Sequence, residues 1–370
     1  MAIFPSRSSS DRVQHNQIPI PAAPKPAGTL NPAVQETQQQ VVLTPDDIAH
    51  AQELATRLRH HFSQGLVAQD NLREALITTM VASGHILIES VPGLAKTTAA
   101  KLLATAVSGS FKRIQCTPDL MPSDLIGTQI FDFASQHMTT QIGPIHANFV
   151  LLDEINRSSA KTQSAMLEAM AEGATTIGGE RIALPKPFMV IATQNPIEEE
   201  GTYSLPESQM DRFYLKTVLD YPTQQDEIAM LSMLTRRGSD VADAADMKPP
   251  LSIGDVEFLR RSARQVHVSQ PIMQYAVQLA QTSRGEGPKP IQGIESLVRL
   301  GASPRASIAL IRIGQASALL SGRDYVIPED IKSFAHDVFR HRILLTFEAL
   351  GDSISVDQVI DSMIEAVPVP

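Results

Sequence analysis

The chain has 370 residues, of which 43% are hydrophobic, and this supplies enough apolar material for two domains. Its 40 acidic residues outnumber its 31 basic residues and give a net charge of −9, so nucleic acid is not expected as the main partner. A single cysteine, Cys116, excludes an intrachain disulfide and is expected to be a buried side chain rather than a nucleophile.

No apolar run reaches the roughly 20 residues that span a bilayer, and no signal peptide is evident. We therefore expect a cytoplasmic protein without membrane insertion.

The N-terminal segment differs in composition from the rest of the chain. Residues 1–43 are rich in Pro, Ser and Gln and show no sustained apolar period. Such a segment cannot bury enough apolar surface to offset the entropy lost on ordering, so we predict a disordered tail. Thr44, followed by Pro45 and two aspartates, is typical of a capped helix start. The globular part is therefore predicted to begin at residue 44.

Residues 44–222 are predicted to form an α/β core. Short apolar runs typical of strands occur at 85–89, 111–115, 149–152, 188–192 and 213–218. Helical patterns lie between them at 97–107 and 160–172. This alternation predicts a parallel sheet with helices on both faces.

The strand signals end near residue 223, and the remaining chain has helical patterns. These patterns fall at about 223–236, 252–265, 271–284, 304–321, 328–340 and 356–366. Residues 223–370 are therefore predicted to form a second, smaller, all-α domain.

The segment that follows the first predicted strand is typical of a phosphate-binding loop. It reads Ser90-Val91-Pro92-Gly93-Leu94-Ala95-Lys96-Thr97 and leads into a helix. In such a loop the backbone N–H groups and the positive end of the helix bind the phosphates, the lysine adds a charge, and the threonine hydroxyl binds Mg²⁺. We therefore expect nucleotide contacts from Pro92, Gly93, Leu94, Ala95, Lys96 and Thr97. The alternative is a Lys-Thr pair that only opens a helix.

Two positions of this loop depart from the usual pattern. Ser90 and Ala95 stand where glycines are expected. Gly93 is predicted to supply the necessary flexibility, and Ala95 suits a helix start. Ser90 would be strained only if the loop demanded a positive φ there.

Paired acids follow the third predicted strand. Asp153 and Glu154 come directly after the apolar run 149–152. The carboxyl edge of a parallel sheet is where ligands bind, so we expect Asp153 to hold Mg²⁺ and Glu154 to deprotonate the attacking water. An ordinary strand end with solvated acids is the alternative.

Polar side chains also follow the fourth strand and precede the fifth. Asn195 comes just after the fourth predicted strand, where an amide can orient a water beside the terminal phosphate. Arg212 precedes the fifth and would neutralise charge on the transferred phosphoryl group. The alternatives are a turn-forming asparagine and a surface arginine paired with Asp211 or Glu207.

Arg305 is the second candidate arginine. Ser303 and Pro304 resemble a helix N-cap and first helical residue, which places Arg305 in the first turn. The helix dipole disfavours a cation there, so an anionic partner such as the γ-phosphate is expected.

The four motifs SVPGLAKT, LLDEINR, IATQNPIEEEGTYSLPESQMDRF and GASPRAS together resemble the MoxR-type AAA+ ATPases, over roughly residues 45–370. The resemblance implies an αβα ATPase core, a helical lid and ATP and Mg²⁺ as cofactors. It implies Walker A residues Lys96 and Thr97 and Walker B residues Asp153 and Glu154. It further implies that Asn195 is sensor 1, Arg212 an arginine finger and Arg305 sensor 2, acting on its own subunit or on a neighbour.

The resemblance also implies a hexameric ring that uses ATP hydrolysis for chaperone-like remodelling, assembly or maturation of partner proteins, possible partners being von Willebrand factor A-domain proteins. The motor subunit of a magnesium chelatase-like complex and a nucleotide-gated scaffold with little turnover are the alternatives. Segments 127–144 and 175–184 are expected to be β-like inserts that contact clients or form surface loops. His60, His61, His336 and His341 form no convincing ligand set, so Mg²⁺ is the only metal predicted.

Overall fold

The computed structural model describes residues 43–67, 69–91, 93–94, 96–196, 203, 205–237, 249–287, 291 and 293–370. Its strands are β1 (Ile86–Ser90), β2 (Phe111–Gln115), β3 (Gly127–Asp132), β4 (His137–Ile142), β5 (Phe149–Asp153), β6 (Ala174–Ile177), β7 (Glu180–Ala183), β8 (Met189–Gln194), β9 (Leu215–Leu219), β10 (Val298–Leu300) and β11 (Leu344–Leu345).

The helices up to residue 237 are α1 (Pro45–Ser63), α2 (Asp70–Val81), α3 (Lys96–Ala106), α4 (Pro122–Ile126), α5 (Ala160–Glu172), α6 (Glu207–Met210) and α7 (Gln224–Arg237). The later helices are α8 (Ile253–Ala263), α9 (Gln270–Thr282), α10 (Ile294–Leu297), α11 (Pro304–Leu320), α12 (Pro328–Lys332), α13 (Ala335–Phe339), α14 (Phe347–Gly351) and α15 (Val356–Ala366). A 3₁₀ turn covers Ile155–Arg157.

The central sheet has five strands in the order β2-β5-β8-β1-β9. All neighbouring pairs are parallel. Every strand lies within two residues of its predicted position, so the predicted α/β fold is confirmed. The apolar runs located the strands because these strands carry the core on their buried faces.

The two faces of the sheet are covered by different helices. Ile86, Ile191 and Leu215 face α1, α2 and α3, and residues of α8, α9 and α11 belong to the same apolar cluster. Leu87 and Val190 face the other way, towards α4 and α5. The later helices therefore pack on the face that α1 and α2 occupy, and residues 41–370 form one compact unit. A domain boundary near residue 222 stays a prediction.

Local sequence signals explain several of the helix boundaries. Thr44 and Asp47 form a reciprocal capping box at the start of α1, as predicted. The helix predicted at 328–340 is in fact two short helices, because α12 ends at Lys332 and α13 begins at Ala335. Helix α2 was not predicted, since a continuous run from Ala75 to Val81 is buried and shows little amphipathic period.

Both predicted inserts are antiparallel hairpins. β3 pairs with β4 and β6 pairs with β7, which confirms the β-like character of 127–144 and 175–184. β10 and β11 form a further small antiparallel pair within the region predicted to be all helical. The tail predicted for residues 1–43 lies outside the described residues, apart from Leu43. Among the helices described, none is long and apolar enough to span a membrane.

Candidate nucleotide-binding site

The carboxyl edge of the sheet brings together three of the predicted motifs. β8 lies between β1 and β5, so the loop after β1 and the acids after β5 flank the end of β8. Ligands bind at this edge in parallel α/β sheets because the loops after the strands and the N-termini of the helices converge there. The motifs that are separated along the chain therefore face a common space.

Ser90 is accommodated within the sheet rather than strained. It is the last residue of β1 and is paired with Leu219 of β9, and its hydroxyl donates to the carbonyl of Val91 at 3.0 Å. Gly93 takes the positive φ of +90°, which a residue with a side chain rarely adopts. The predicted role of Gly93 is thus confirmed, and the condition for strain at Ser90 is not met. Pro92 and Ala95 lie outside the described residues.

Lys96 and Thr97 open α3. The Nζ of Lys96 donates to the carbonyl of Ser90 at 2.9 Å, which holds the ammonium group over the loop. Leu94 is buried and anchors the loop in the core shared with α1 and α2. The helix N-terminus, the ammonium group and the Thr97 hydroxyl form the type of anion site that binds phosphates.

Asp153 is almost fully buried at the end of β5. Its Oδ1 accepts from the Thr193 hydroxyl at 2.9 Å, and its Oδ2 accepts from Nε of Arg113 at 2.8 Å. Arg113 lies on β2 and is half exposed, so a cation that binds Asp153 competes with an arginine able to move towards solvent. Neither Arg113 nor Thr193 was identified from the sequence.

Glu154 has a left-handed backbone conformation, with φ 56° and ψ 54°. Non-glycine residues pay a local energy cost there, and the N–H of Glu154 is fixed by donation to the Thr193 hydroxyl at 2.9 Å. Its carboxylate accepts from Nε2 of Gln115 at 3.1 Å and lies 3.1 Å from Nε of Arg157. Two neighbours thus orient a carboxylate that also remains partly exposed, and Thr193 holds the backbone that carries it.

Thr193 and Asn195 connect the acids to the loop. The Thr193 hydroxyl bonds to both acidic residues. Asn195 lies two residues after Thr193, directly after the end of β8, and is 3% exposed. Gln194 is in register with Glu89 of β1, one residue before Ser90. Asn195 therefore lies at the predicted edge, between the phosphate loop and the paired acids.

Arg212 lies at the opposite edge of the sheet. β9 runs parallel to β1, and the N–H of Tyr214 donates to the carbonyl of His85, which precedes β1. Five strand residues, about 16 Å at roughly 3.3 Å per residue, separate this end from the phosphate loop. Arg212 is therefore too far away to reach phosphates bound by its own chain.

The environment of Arg212 differs from the predicted surface alternative. Asp211 pairs with Arg342 at 2.7 Å, and Glu207 lies 3.9 Å from Arg299, so neither acid forms an ion pair with Arg212. Among the residues described, none accepts a hydrogen bond from its Nε.

Arg305 lies at the same edge as Arg212. Ser303 is the N-cap of α11 and accepts from the N–H of Arg305, as predicted. The Ser303 hydroxyl also donates to Oδ2 of Asp211 at 2.7 Å, which ties the start of α11 to the residue before Arg212. Arg305 is exposed there, at the positive end of the helix dipole, where a cation is unfavourable. The two candidate arginines therefore form one group.

Arg342 organises this group and was missed in the sequence. It is almost fully buried, its Nε donates to Oδ1 of Asp211, and its Nη2 donates to the carbonyl of Phe213 at 2.7 Å. Burial lowers the pKa of Arg342, the ion pair with Asp211 raises it, and nearby Arg305 lowers it again. In the sequence Arg342 belongs to the polar run Arg340-His341-Arg342 between Phe339 and Ile343, and this run gave no indication that one of its arginines is buried.

The cysteine and two of the histidines considered in the sequence are buried side chains. Cys116 is buried as predicted, and burial raises the pKa of its thiol to about 12. His61 bonds to Thr105, and His341 is buried against the carbonyl of Phe213. Across the described ranges, no group of three His, Cys, Asp or Glu side chains could hold a metal.

Comparisons with known proteins agree with this geometry. The model of the family "ATPase family associated with various cellular activities (AAA)" matches residues 85–215, and an AAA lid domain model matches residues 293–363. The chaperone MoxR1 of Mycobacterium tuberculosis is 43% identical over 82% of this chain and 79% of its own length. The Bacillus subtilis protein YeaC is 41% identical over 84% of this chain and 93% of its own length.

A solved structure shares the fold. It is a Cytophaga hutchinsonii protein provisionally described as an ATPase, and it is 37% identical with a TM-score of 0.79. The match covers 88% of this chain and 97% of the other. The chain therefore belongs to the MoxR-type AAA+ ATPases and hydrolyses ATP.

Proposed function

We propose that this ATPase works as a ring in which each active site is shared between two neighbouring copies. The observation that carries this proposal is the separation of Lys96 and Arg212 by the length of a strand. A charge that compensates the transition state must lie beside the phosphates. One copy cannot place Arg212 there in its own site, but a head-to-tail neighbour can.

The bond between Ser303 and Asp211 extends this argument to Arg305. Both arginines belong to one cluster, so a neighbour that presents Arg212 also presents Arg305. This favours action of Arg305 on the neighbour's nucleotide. Head-to-tail contacts close into rings, and the family resemblance supports a hexamer.

The catalytic roles follow from the carboxyl edge. We propose that Lys96 and the loop Pro92–Ala95 bind the phosphates, and that Glu154 takes a proton from the attacking water that Asn195 helps to orient. Gln115 and Thr193 hold Glu154 in position.

Magnesium fits the donor set at this edge. A hydroxyl on Thr97 and a buried carboxylate on Asp153 are hard oxygen ligands, and Mg²⁺ prefers one or two carboxylates together with phosphate oxygens and water. When bound, the ion neutralises charge on the phosphates. The partly exposed Arg113 can release Asp153 when the ion binds.

We further propose a chaperone-like role in the remodelling, assembly or maturation of protein partners. The name of the similar Mycobacterium tuberculosis protein, a chaperone, supports this role. Proteins with a von Willebrand factor A domain are candidate partners from the family resemblance. The 38 kDa magnesium-chelatase subunit of Acidiphilium rubrum is only 25% identical over 54% of this chain, so a chelatase motor is less well supported. Location in the cytoplasm stays a prediction from the sequence.

Sedimentation with and without ATP and Mg²⁺ tests assembly. The Glu154→Gln variant should bind ATP without hydrolysing it and sediment as a hexamer, whereas Lys96→Ala, which lacks the phosphate-binding charge, should not respond to ATP. A monomer under every condition would contradict the ring. The ATP-loaded Glu154→Gln protein is also the form with which to capture a client.

A further inference from the structure

Helix α7 has an apolar side that nothing in the described structure covers. Ile228 and Leu231 lie three residues apart, hence on one side of the helix, and their side chains are 56% and 62% exposed. None of the described side chains of α7 is buried. Helices in proteins gain most of their stability by packing an apolar side, so this helix is expected to have a partner.

The position of α7 is fixed by the strand before it. β9 ends at Leu219, opposite Ser90, and α7 begins at Gln224, so the helix starts at the edge that carries the phosphate loop. Its first turn contains Asp226 and Glu227. The start of α7 therefore presents an acidic and apolar surface beside the nucleotide site.

A second exposed surface has the opposite charge. Arg305 and Ile308 lie three residues apart on α11, and Ile308 is 55% exposed. Arg299 and Leu300 of β10 are also exposed, and Arg299 pairs only at 3.9 Å with Glu207 of α6. We call these four residues the basic apolar surface. It lies at the amino edge, with Arg212.

The two surfaces complement each other but cannot meet within one chain. The acidic and apolar start of α7 lies at one edge of the sheet, and the basic apolar surface lies at the other, about 16 Å away along β9. A head-to-tail contact places one against the other between copies. This contact joins the carboxyl edge of one copy to the amino edge of the next, as does the proposed approach of Arg212 to a neighbour's nucleotide.

We propose that α7 of one copy docks on the basic apolar surface of the next copy. Ile228 and Leu231 pack near Ile308 and Leu300, and Glu227 lies near Arg299. This inference rests on the proposed ring and adds the helix that holds its copies together. Docking of α7 would also keep the neighbour's Arg305 close to the nucleotide that sits beside that helix.

Cysteine cross-linking tests this contact, because the only native cysteine, Cys116, is buried. Two variants, Leu231→Cys and Ile308→Cys, are treated with a short bismaleimide in ATP and Mg²⁺, each alone and mixed. We expect covalent dimers only in the mixture, and a ladder up to the closed ring for a chain that carries both cysteines. Phe133→Cys, at an exposed residue that belongs to neither surface, replaces Leu231→Cys in the control mixture and should give at least tenfold less product.

The other outcomes overturn the proposal in distinguishable ways. Dimers from Leu231→Cys alone would show that α7 of one copy packs against α7 of a second copy across a twofold axis. If sedimentation shows rings but the mixture does not cross-link above the Phe133→Cys control, another segment covers α7 and the docking is wrong while the ring stands. If no rings form at all, both proposals fail. As a second readout, Leu231→Ser should weaken assembly at least tenfold, and Phe133→Ser should leave it unchanged.

Discussion

The hydroxyl of Ser303 donates to the carboxylate of Asp211 at 2.7 Å across 92 residues of sequence. This bond joins the cap of α11 to the residue beside Arg212, and Arg342 holds the other oxygen of the same carboxylate. The segments that carry the two arginines expected to serve a neighbour are therefore joined through one partly buried acid.

Asp211 should accordingly be important for stability. Asp211→Ala leaves the guanidinium of Arg342 buried without its counter-ion, which typically costs about 3–5 kcal/mol. Urea denaturation measures this loss. The control is Glu207→Ala, which breaks the exposed pair with Arg299 and should cost less than about 1 kcal/mol. Equal effects of the two variants would show that Asp211 does not balance a buried charge.

Gln115 is predicted to position the catalytic base. Gln115→Leu removes the bond to Glu154, and a hydrogen bond to a charged group contributes about 1.5–3 kcal/mol, so we expect kcat to fall about tenfold or more with KM for ATP unchanged. Gln129→Leu, on the partly exposed hairpin strand β3, is the control. An unchanged kcat for Gln115→Leu, or a rise in KM alone, would assign Gln115 no role in positioning Glu154.

The strands and most motifs were predictable because their signals are local. A buried strand needs a continuous apolar run, and a phosphate loop needs its residues in sequence, so Ser90 to Thr97 and Asp153 with Glu154 could be found directly. Gln115, although it lies in a predicted strand, gains its meaning only when β2 is placed beside β5.

Tertiary relationships explain what the sequence left open. Our proposal for Arg305 rests on the edge of the sheet that α11 approaches, and the bond between Ser303 and Asp211 that places α11 there joins residues far apart in the sequence. Arg342 belongs to the polar run Arg340-His341-Arg342, and no local rule relates it to Asp211. The proposed partner surface of α7 could not be predicted from the sequence for the same reason, since the two surfaces lie at opposite edges of one molecule.

Asp337 predicts a pH dependence of stability. Burial raises the pKa of this carboxyl to about 6, although Arg340 and the Thr217 hydroxyl lower it. The folded state therefore holds a proton more tightly than the unfolded chain, so the stabilisation is present at low pH and is lost as pH rises through about 6.

The variant Asp337→Asn cannot ionise and should lack this loss. Between pH 5 and pH 7.5 the free energy of unfolding of the wild type should fall relative to that of the variant, on the order of 1 kcal/mol. Urea unfolding at the two pH values measures the difference. His336 and Asp357 lie nearby and are unchanged in the variant, so their contributions cancel. Parallel pH profiles would show that Asp337 is ionised throughout.

The shared active site is tested most directly by mixing two inactive variants. Glu154→Gln removes the base and Arg212→Ala removes the compensating charge, so each alone should nearly abolish hydrolysis while ATP binding survives. After subunit exchange in an equal mixture, about one quarter of head-to-tail interfaces join an intact Glu154 to an intact Arg212. We predict that ATP hydrolysis recovers in proportion to these interfaces. Exchange verified by a fluorescent label, with no recovery at any mixing ratio, would contradict an active site shared between Glu154 and a neighbour's Arg212.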